Sequence, residues 1–167
     1  MHTEDTRITS SADRLVAATA RLRQSLERMN EHTAEHARTE NGWTPAQVVY
    51  HVGLVNAGFF IPAFDGSAPF MMPAPDGFTE PSLEKFPGIL AAFPQLKPPP
   101  VTRRQAIEKL ETTTDQLAAA MRRVTPRRLT HCATLTSGTL SIQQMAEFTV
   151  GHMERHQAQL DKVMTPV

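Results

Sequence analysis

Two histidines in the last part of the sequence have a spacing that suits metal binding. His152 and His156 are four residues apart, and on a helix such side chains share one face, with about 5–6 Å between their β-carbons. Both imidazoles can therefore reach a single divalent metal ion. The pair also interrupts an apolar stripe, which consists of Met145, Phe148, Leu160 and Val163. The alternative is that each ring is a hydrogen-bonded core residue or part of a solvated face.

His51 is the third candidate ligand. It lies among Val48, Leu54 and Val55, which mark the buried face of a predicted helix. An unpaired polar ring in a core costs about 1–3 kcal/mol, so each buried histidine needs a partner. Three neutral imidazoles would leave one coordination position open, as catalytic zinc sites do. Zinc or nickel suits this donor set, and iron or manganese would also accept it.

Four helices are predicted to position these histidines, over residues 11–31, 44–60 and 102–125 and from 141 onward. The last three begin with a capping-box pattern, in which a hydroxyl residue is followed three positions later by glutamine. The pairs are Thr44 with Gln47, Thr102 with Gln105, and Ser141 with Gln144. The first helix carries its own apolar stripe, formed by Leu15, Ala18, Leu22, Leu26 and Met29. The pattern predicts an all-α fold, an antiparallel four-helix bundle in one domain over residues 1–167.

A long proline-rich crossover, residues 61–100, separates the second and third predicted helices. It contains ten of the thirteen prolines, and proline removes amide donors and blocks long helices. We expect only a short helical turn, near residues 82–93. The crossover also holds five phenylalanines that favour burial, Phe64, Phe70, Phe78, Phe86 and Phe93. It is therefore predicted to be an ordered flap over the bundle or in a subunit contact.

Composition narrows the classes of partner. Lysine plus arginine equals aspartate plus glutamate at 17 each. The chain therefore lacks the net positive charge that supplies most non-specific affinity for nucleic acid, and we expect no nucleic-acid partner. No leader pattern or membrane-spanning stretch is evident, so we expect a cytoplasmic protein without a membrane partner. The single cysteine, Cys132, excludes an internal disulfide.

Three motifs together carry a family resemblance. They are GWTPAQVVYH at residues 42–51, SGTLS at 137–141 and HMERHQAQL at 152–160. The combination resembles the DinB-like superfamily of four-helix metalloproteins. The resemblance implies that His51, His152 and His156 bind a divalent metal and that the protein is a homodimer. It further implies a thiol S-transferase or thiol-dependent isomerase, in which the metal holds a low-molecular-weight thiol such as bacillithiol, mycothiol or glutathione.

Several other residues have both a functional and an ordinary interpretation. Gln159 could orient a ligand imidazole or make a plain hydrogen bond, and Trp43 could stack on a substrate, although packing is favoured. The pairs Arg122-Arg123 and Arg127-Arg128 could bind an anionic thiol or only complement helix ends.

Three functions therefore stay open. The first is thiol transfer to a small electrophile. The second is a protein that binds metal or a small ligand without catalysis. The third is a metal-dependent hydrolase, which is disfavoured because Glu147 and Glu154 are predicted to face away from the histidines and supply no general base.

Overall fold

The computed structural model describes residues 3–82, 96–135 and 138–164. Six α-helices occur in these ranges: α1 (Thr3–Arg28), α2 (Glu31–His36), α3 (Pro45–Val55), α4 (Ile61–Asp65), α5 (Arg103–Arg122) and α6 (Ile142–Met164). Three short strands accompany them: β1 (Met71–Pro73), β2 (His131–Leu135) and β3 (Gly138–Ser141). The prediction of a mostly helical protein is confirmed.

All three predicted capping boxes are present. At the start of α3, the Gln47 amide donates to Thr44 Oγ1 over 3.1 Å, and the Thr44 amide donates to Gln47 Oε1 over 3.0 Å. The same reciprocal bonds join Thr102 with Gln105 before α5, and Ser141 with Gln144 before α6. Each box satisfies amide groups that the first turn of a helix leaves without partners.

The first helix begins earlier and ends sooner than predicted. α1 starts at Thr3, and the buried Ile8 extends its apolar face by two turns beyond Leu15. The chain then breaks at Asn30, whose side-chain Oδ1 accepts the Thr33 amide over 2.8 Å and so caps α2. Asparagine favours this capping position over a helix interior, which explains the break.

The second predicted helix continues past residue 60. A π-helical turn at Asn56–Phe60 joins α3 to α4, and the chain leaves the helix at Gly66, whose φ of +94° favours glycine. The continuous segment Pro45–Asp65 is long and apolar enough to cross a membrane, so the expectation that the chain has no such stretch was wrong. However, 61% of its most apolar window is buried inside the protein, as in a core helix.

A small antiparallel sheet in the order β1-β2-β3 is the element that the all-α prediction missed. Met71 in the crossover pairs with Ala133, and Leu135 pairs with Gly138. Strands of three to five residues are too short to show a clear alternation in sequence. The sheet attaches the crossover to the segment that leads into α6.

The four long helices share one core. α1 packs against α5 and α6, and α3 packs mainly against α5 and also against α6. All five residues of the predicted α1 stripe are buried. α3 and α5 approach closely at Gly53, where an added Cβ would lie 2.7 Å from Lys109 Cγ and 3.2 Å from its carbonyl carbon.

The crossover is partly ordered against this core. Phe64 is buried, and Phe70 stacks on Phe59 with 5.0 Å between ring centroids. Glu80 accepts a hydrogen bond from Ser141 Oγ and forms an ion pair with Arg7 at 3.1 Å. Phe86, Phe93 and the predicted turn near residues 82–93 lie outside the described residues, apart from residue 82 itself.

Candidate metal centre

The three predicted histidines lie together inside the protein. His51 comes from α3, and His152 and His156 come from α6. The three residues are 3%, 7% and 7% exposed, and one ring nitrogen from each lies within 4.8 Å of the other two. His51 points inward because it shares the buried side of α3 with Val48 and Val55.

The two histidines of α6 meet through equivalent atoms. His152 Nε2 and His156 Nε2 are 3.1 Å apart. Two imidazole nitrogens bound to one zinc ion at 2.0–2.1 Å would be about 3.4 Å apart at a tetrahedral angle and about 2.9 Å at a right angle. The observed separation falls between these values, so the pair is already spaced for a shared ion.

Hydrogen bonds orient two of the rings. His51 Nδ1 donates to the Leu96 carbonyl over 2.9 Å, and His156 Nδ1 donates to Gln159 Oε1, also over 2.9 Å. Because a carbonyl oxygen can only accept, each Nδ1 carries the proton and each Nε2 keeps its lone pair. Such bonds from the far nitrogen fix the ring and the tautomer of metal-binding histidines. The orienting role considered for Gln159 is therefore supported by its geometry.

His152 is the least satisfied of the three rings. Its Nδ1 is buried and has no hydrogen-bond partner within the described residues, whereas its Nε2 lies 3.1 Å from His156 Nε2, whose lone pair can accept a proton from it. An ordinary core histidine would have its polar atoms paired, because an unsatisfied buried atom costs about 1–3 kcal/mol. The three imidazole nitrogens that lie within 4.8 Å of one another form a donor set that fits a divalent metal ion.

The surroundings keep the imidazoles neutral. Burial lowers the pKa of all three rings, and the positive charge of Arg155 acts in the same direction. The pKa of His156 falls from 6.5 to about 4, although its hydrogen bond to Gln159 opposes the shift. The pKa of His152 falls well below 6.5 through burial and the neighbouring His156. Neutral imidazole is the form that binds metals.

A cavity of about 250 Å³ opens beside the three rings. Its other lining residues are Glu40, Asn41, Trp43, Arg155 and Gln159. The turn before α3 shapes one wall, since the Thr39 amide donates to the Trp43 carbonyl at 2.8 Å and the single Thr39 hydroxyl proton is shared between that carbonyl at 2.8 Å and Asn41 Oδ1 at 2.6 Å. Gly42, with φ of +82°, permits this turn. Trp43 lies 4.9 Å from His51 between ring centroids, so it packs on a candidate ligand while lining the cavity.

Sequence reasoning missed Glu40, Asn41 and Arg155. Arg155 follows His152 by three residues, so helical spacing alone could have indicated it. Glu40 and Asn41 belong to a loop, and no local pattern in the sequence links that loop to α6. Glu40 pairs with Lys162 at 2.7 Å, and this contact lowers the pKa of its carboxyl group.

The other candidate residues lie away from the cavity. Arg122 pairs with Asp13 at 2.6 Å, and Arg128 donates to the Phe64 carbonyl and the Ala63 carbonyl. These contacts agree with the ordinary interpretation of the basic pairs.

Glu147, Glu154 and Cys132 also lie outside the cavity lining. Glu147 pairs with Arg7 at 2.9 Å, and Glu154 is exposed. Cys132 is buried in β2, and burial raises the pKa of its thiol. None of these three residues lines the cavity beside the histidines.

A family model described as the DinB superfamily matches residues 14–160. This span is most of the chain and contains all three histidines, so the resemblance seen in the sequence motifs is confirmed. No curated protein and no solved structure matches the chain.

Proposed function

We propose that this protein, which belongs to the DinB superfamily, binds one divalent metal ion through His51, His152 and His156 and uses it to activate a low-molecular-weight thiol. The observation that carries the proposal is the convergence of three buried imidazole nitrogens within 4.8 Å beside a cavity. Thiol transfer to a small electrophile is the activity that the family resemblance favours.

The donor set supports the choice of cofactor. Three neutral nitrogen ligands suit zinc or nickel, and iron or manganese remains compatible. When bound, such an ion would supply Lewis acidity, which keeps a coordinated thiol in its reactive thiolate form.

The chain's own residues would prepare this chemistry. The Leu96 carbonyl and Gln159 hold the rings of His51 and His156 with their Nε2 lone pairs free. Trp43 packs against His51 with 4.9 Å between ring centroids and would help to keep water from that ring. The cavity supplies the open side at which a thiol and an electrophile could meet.

Metal-dependent hydrolysis is the less supported alternative. It usually requires a carboxylate that acts as a general base beside the metal. Glu40 is the carboxylate residue that lines this cavity, but its ion pair with Lys162 occupies it and lowers its pKa. A carboxylate made less basic in this way is a poor proton acceptor near neutral pH.

Metal content tests the site. Wild-type protein purified with zinc or nickel should hold about one ion per chain. The His51→Ala variant should lose most of it, and the His36→Ala variant, which alters an exposed ring on α2, should retain it. Equal metal content in all three proteins would refute the assignment of the ligands.

Turnover tests the reaction. Metal-loaded protein should accelerate the reaction of a model electrophile with at least one of glutathione, bacillithiol and mycothiol. The His51→Ala variant should not. Full metal occupancy without acceleration by any of these thiols would refute thiol transfer, and tight retention of a small ligand without product would favour the non-catalytic alternative.

The helix arrangement and the oligomeric state can be tested separately from the chemistry. We propose that α1, α3, α5 and α6 form an antiparallel four-helix bundle in a single domain, which their mutual contacts support. Homodimerisation is proposed from the family resemblance. Light scattering after size exclusion should give twice the chain mass of 18.5 kDa, and a monomer at micromolar concentration would contradict it.

A further inference from the structure

One positively charged side chain in the cavity lining, Arg155, has no ion pair with any residue that the structure describes. Arg155 is exposed at the cavity, and its side chain makes no ion pair or hydrogen bond within the described parts of the chain. Glu40 is the carboxylate in the described lining of the same cavity, and the charge of Arg155 helps to lower its pKa. Glu40 is nevertheless bound to Lys162 at 2.7 Å. Arg155 is thus left free to bind a ligand, although the chain as a whole has no net charge.

A second donor lies on the same cavity wall. Asn41 Oδ1 accepts the Thr39 hydroxyl at 2.6 Å and the Trp43 amide at 3.3 Å. These bonds use the acceptor end of the Asn41 amide and fix its orientation. Its NH₂ group makes no hydrogen bond to any residue that the structure describes, so Arg155 and Asn41 both offer unused donor groups in the cavity lining.

This arrangement has a preferred ligand chemistry. A guanidinium group binds carboxylates in a planar, often bidentate geometry, and an amide NH₂ can add a further hydrogen bond. A carboxylate ligand would form a charge-assisted hydrogen bond with Arg155 that is stronger than the bond a neutral ligand could form. The cavity of about 250 Å³ is smaller than the pockets that enclose drug-sized ligands. It therefore suits a small acid or the acidic part of a larger molecule.

We propose that Arg155, assisted by Asn41, binds the carboxylate of the thiol that the metal site activates. This inference rests on the proposed function, and it defines the substrate class as carboxylate-bearing thiols. Arg155 is a binding residue that sets specificity, and His51, His152 and His156 remain the proposed metal ligands. The pairs Arg122-Arg123 and Arg127-Arg128 do not serve this role, because they are outside the cavity lining.

Two small thiols, one with a carboxylate and one without, test the effect of the carboxylate separately from the binding of sulfur to the metal. Cobalt-loaded protein should bind 3-mercaptopropionate, which carries a carboxylate, at least about tenfold more tightly than 2-mercaptoethanol, which carries none. Binding is followed by the absorption of cobalt bound to thiolate, which requires no turnover. Arg155→Gln should remove most of this preference by weakening 3-mercaptopropionate alone. The matched control is Arg123→Gln, because Arg123 is exposed outside the cavity lining.

The outcomes distinguish this inference from the proposed function. Equal affinity of wild-type protein for both thiols, or an equal loss of both in Arg155→Gln, would overturn the role of Arg155. If neither thiol binds to fully metal-loaded protein, calorimetry is used to measure whether propionate binds. Binding of propionate that depends on Arg155 would support the carboxylate site while thiol activation fails, and no binding of propionate would overturn both.

Discussion

Acidification of the metal-free protein should destabilise it, because His156 is neutral and buried in the folded state. Its pKa is about 4 in the folded protein and 6.5 as an ordinary imidazole. The unfolded chain therefore binds more protons than the folded chain between these values. The contribution of neutral His156 to stability is fully present above pH 6.5 and is lost as the pH falls toward 4.

The size of the loss follows from this difference in pKa. Between about pH 7.5 and about pH 5, His156 alone should lower the free energy of unfolding by about 2 kcal/mol. His152 acts in the same direction, since its pKa is also well below 6.5. A loss of this size is a large fraction of the 5–15 kcal/mol typical of natural domains.

Urea unfolding at several pH values measures this effect after complete chelation. The His156→Gln variant should show a weaker dependence of unfolding free energy on pH than wild type. The His36→Gln variant, which removes an exposed ring on α2, should keep the wild-type dependence. If wild type and His156→Gln lose the same stability on acidification, or if wild type loses none, the inference of a neutral buried His156 is refuted.

Three further predictions concern the site and the packing around it. Gln159→Leu should weaken metal binding by about 10–100-fold, measured by competition with a chelating dye, because His156 loses its orienting bond; unchanged affinity would show that the bond is unimportant. Removing the metal by chelation, starting from a free metal concentration of about 100 times the Kd for that metal, should lower the melting temperature by about 5–10 °C; an unchanged melting temperature would contradict a site that joins α3 to α6. Gly53→Ala should destabilise the protein by about 1 kcal/mol in urea unfolding, because its Cβ would contact Lys109. Gly151→Ala is the matched control, since its Cβ would meet nothing within 4 Å, and equal effects of the two substitutions would contradict the close approach of α3 and α5.

Local signals predicted the starts of α3, α5 and α6 well. In each capping box the partners are three residues apart, as Thr44 and Gln47 show, so neighbouring residues alone determine the hydrogen bonds. The spacing of His152 and His156 is equally local, and the rise of a helix brings their rings together. The inward direction of His51 followed from the apolar residues around it. These features depend on fewer than ten consecutive residues.

Non-local features could not be predicted in the same way. The pairing of Met71 with Ala133 joins residues far apart in sequence, and the strands involved are short. The bond from His51 to the Leu96 carbonyl depends on the path of the proline-rich crossover. The continuation through the π-helical turn at Asn56–Phe60 also escaped the pattern, because Pro62 in the next turn reads as a helix stop in sequence.

The sequence by itself determined the residue types, the starts of α3, α5 and α6 and the face on which each histidine lies, because helical periodicity and capping act over a few residues. The tertiary structure decided which donors share the cavity. Glu40, Asn41 and Arg155 meet beside the histidines because the turn before α3 packs against α6. The pairing of Glu40 with Lys162 leaves Arg155 free, and such a balance of charges depends on distances across the fold that no local spacing encodes.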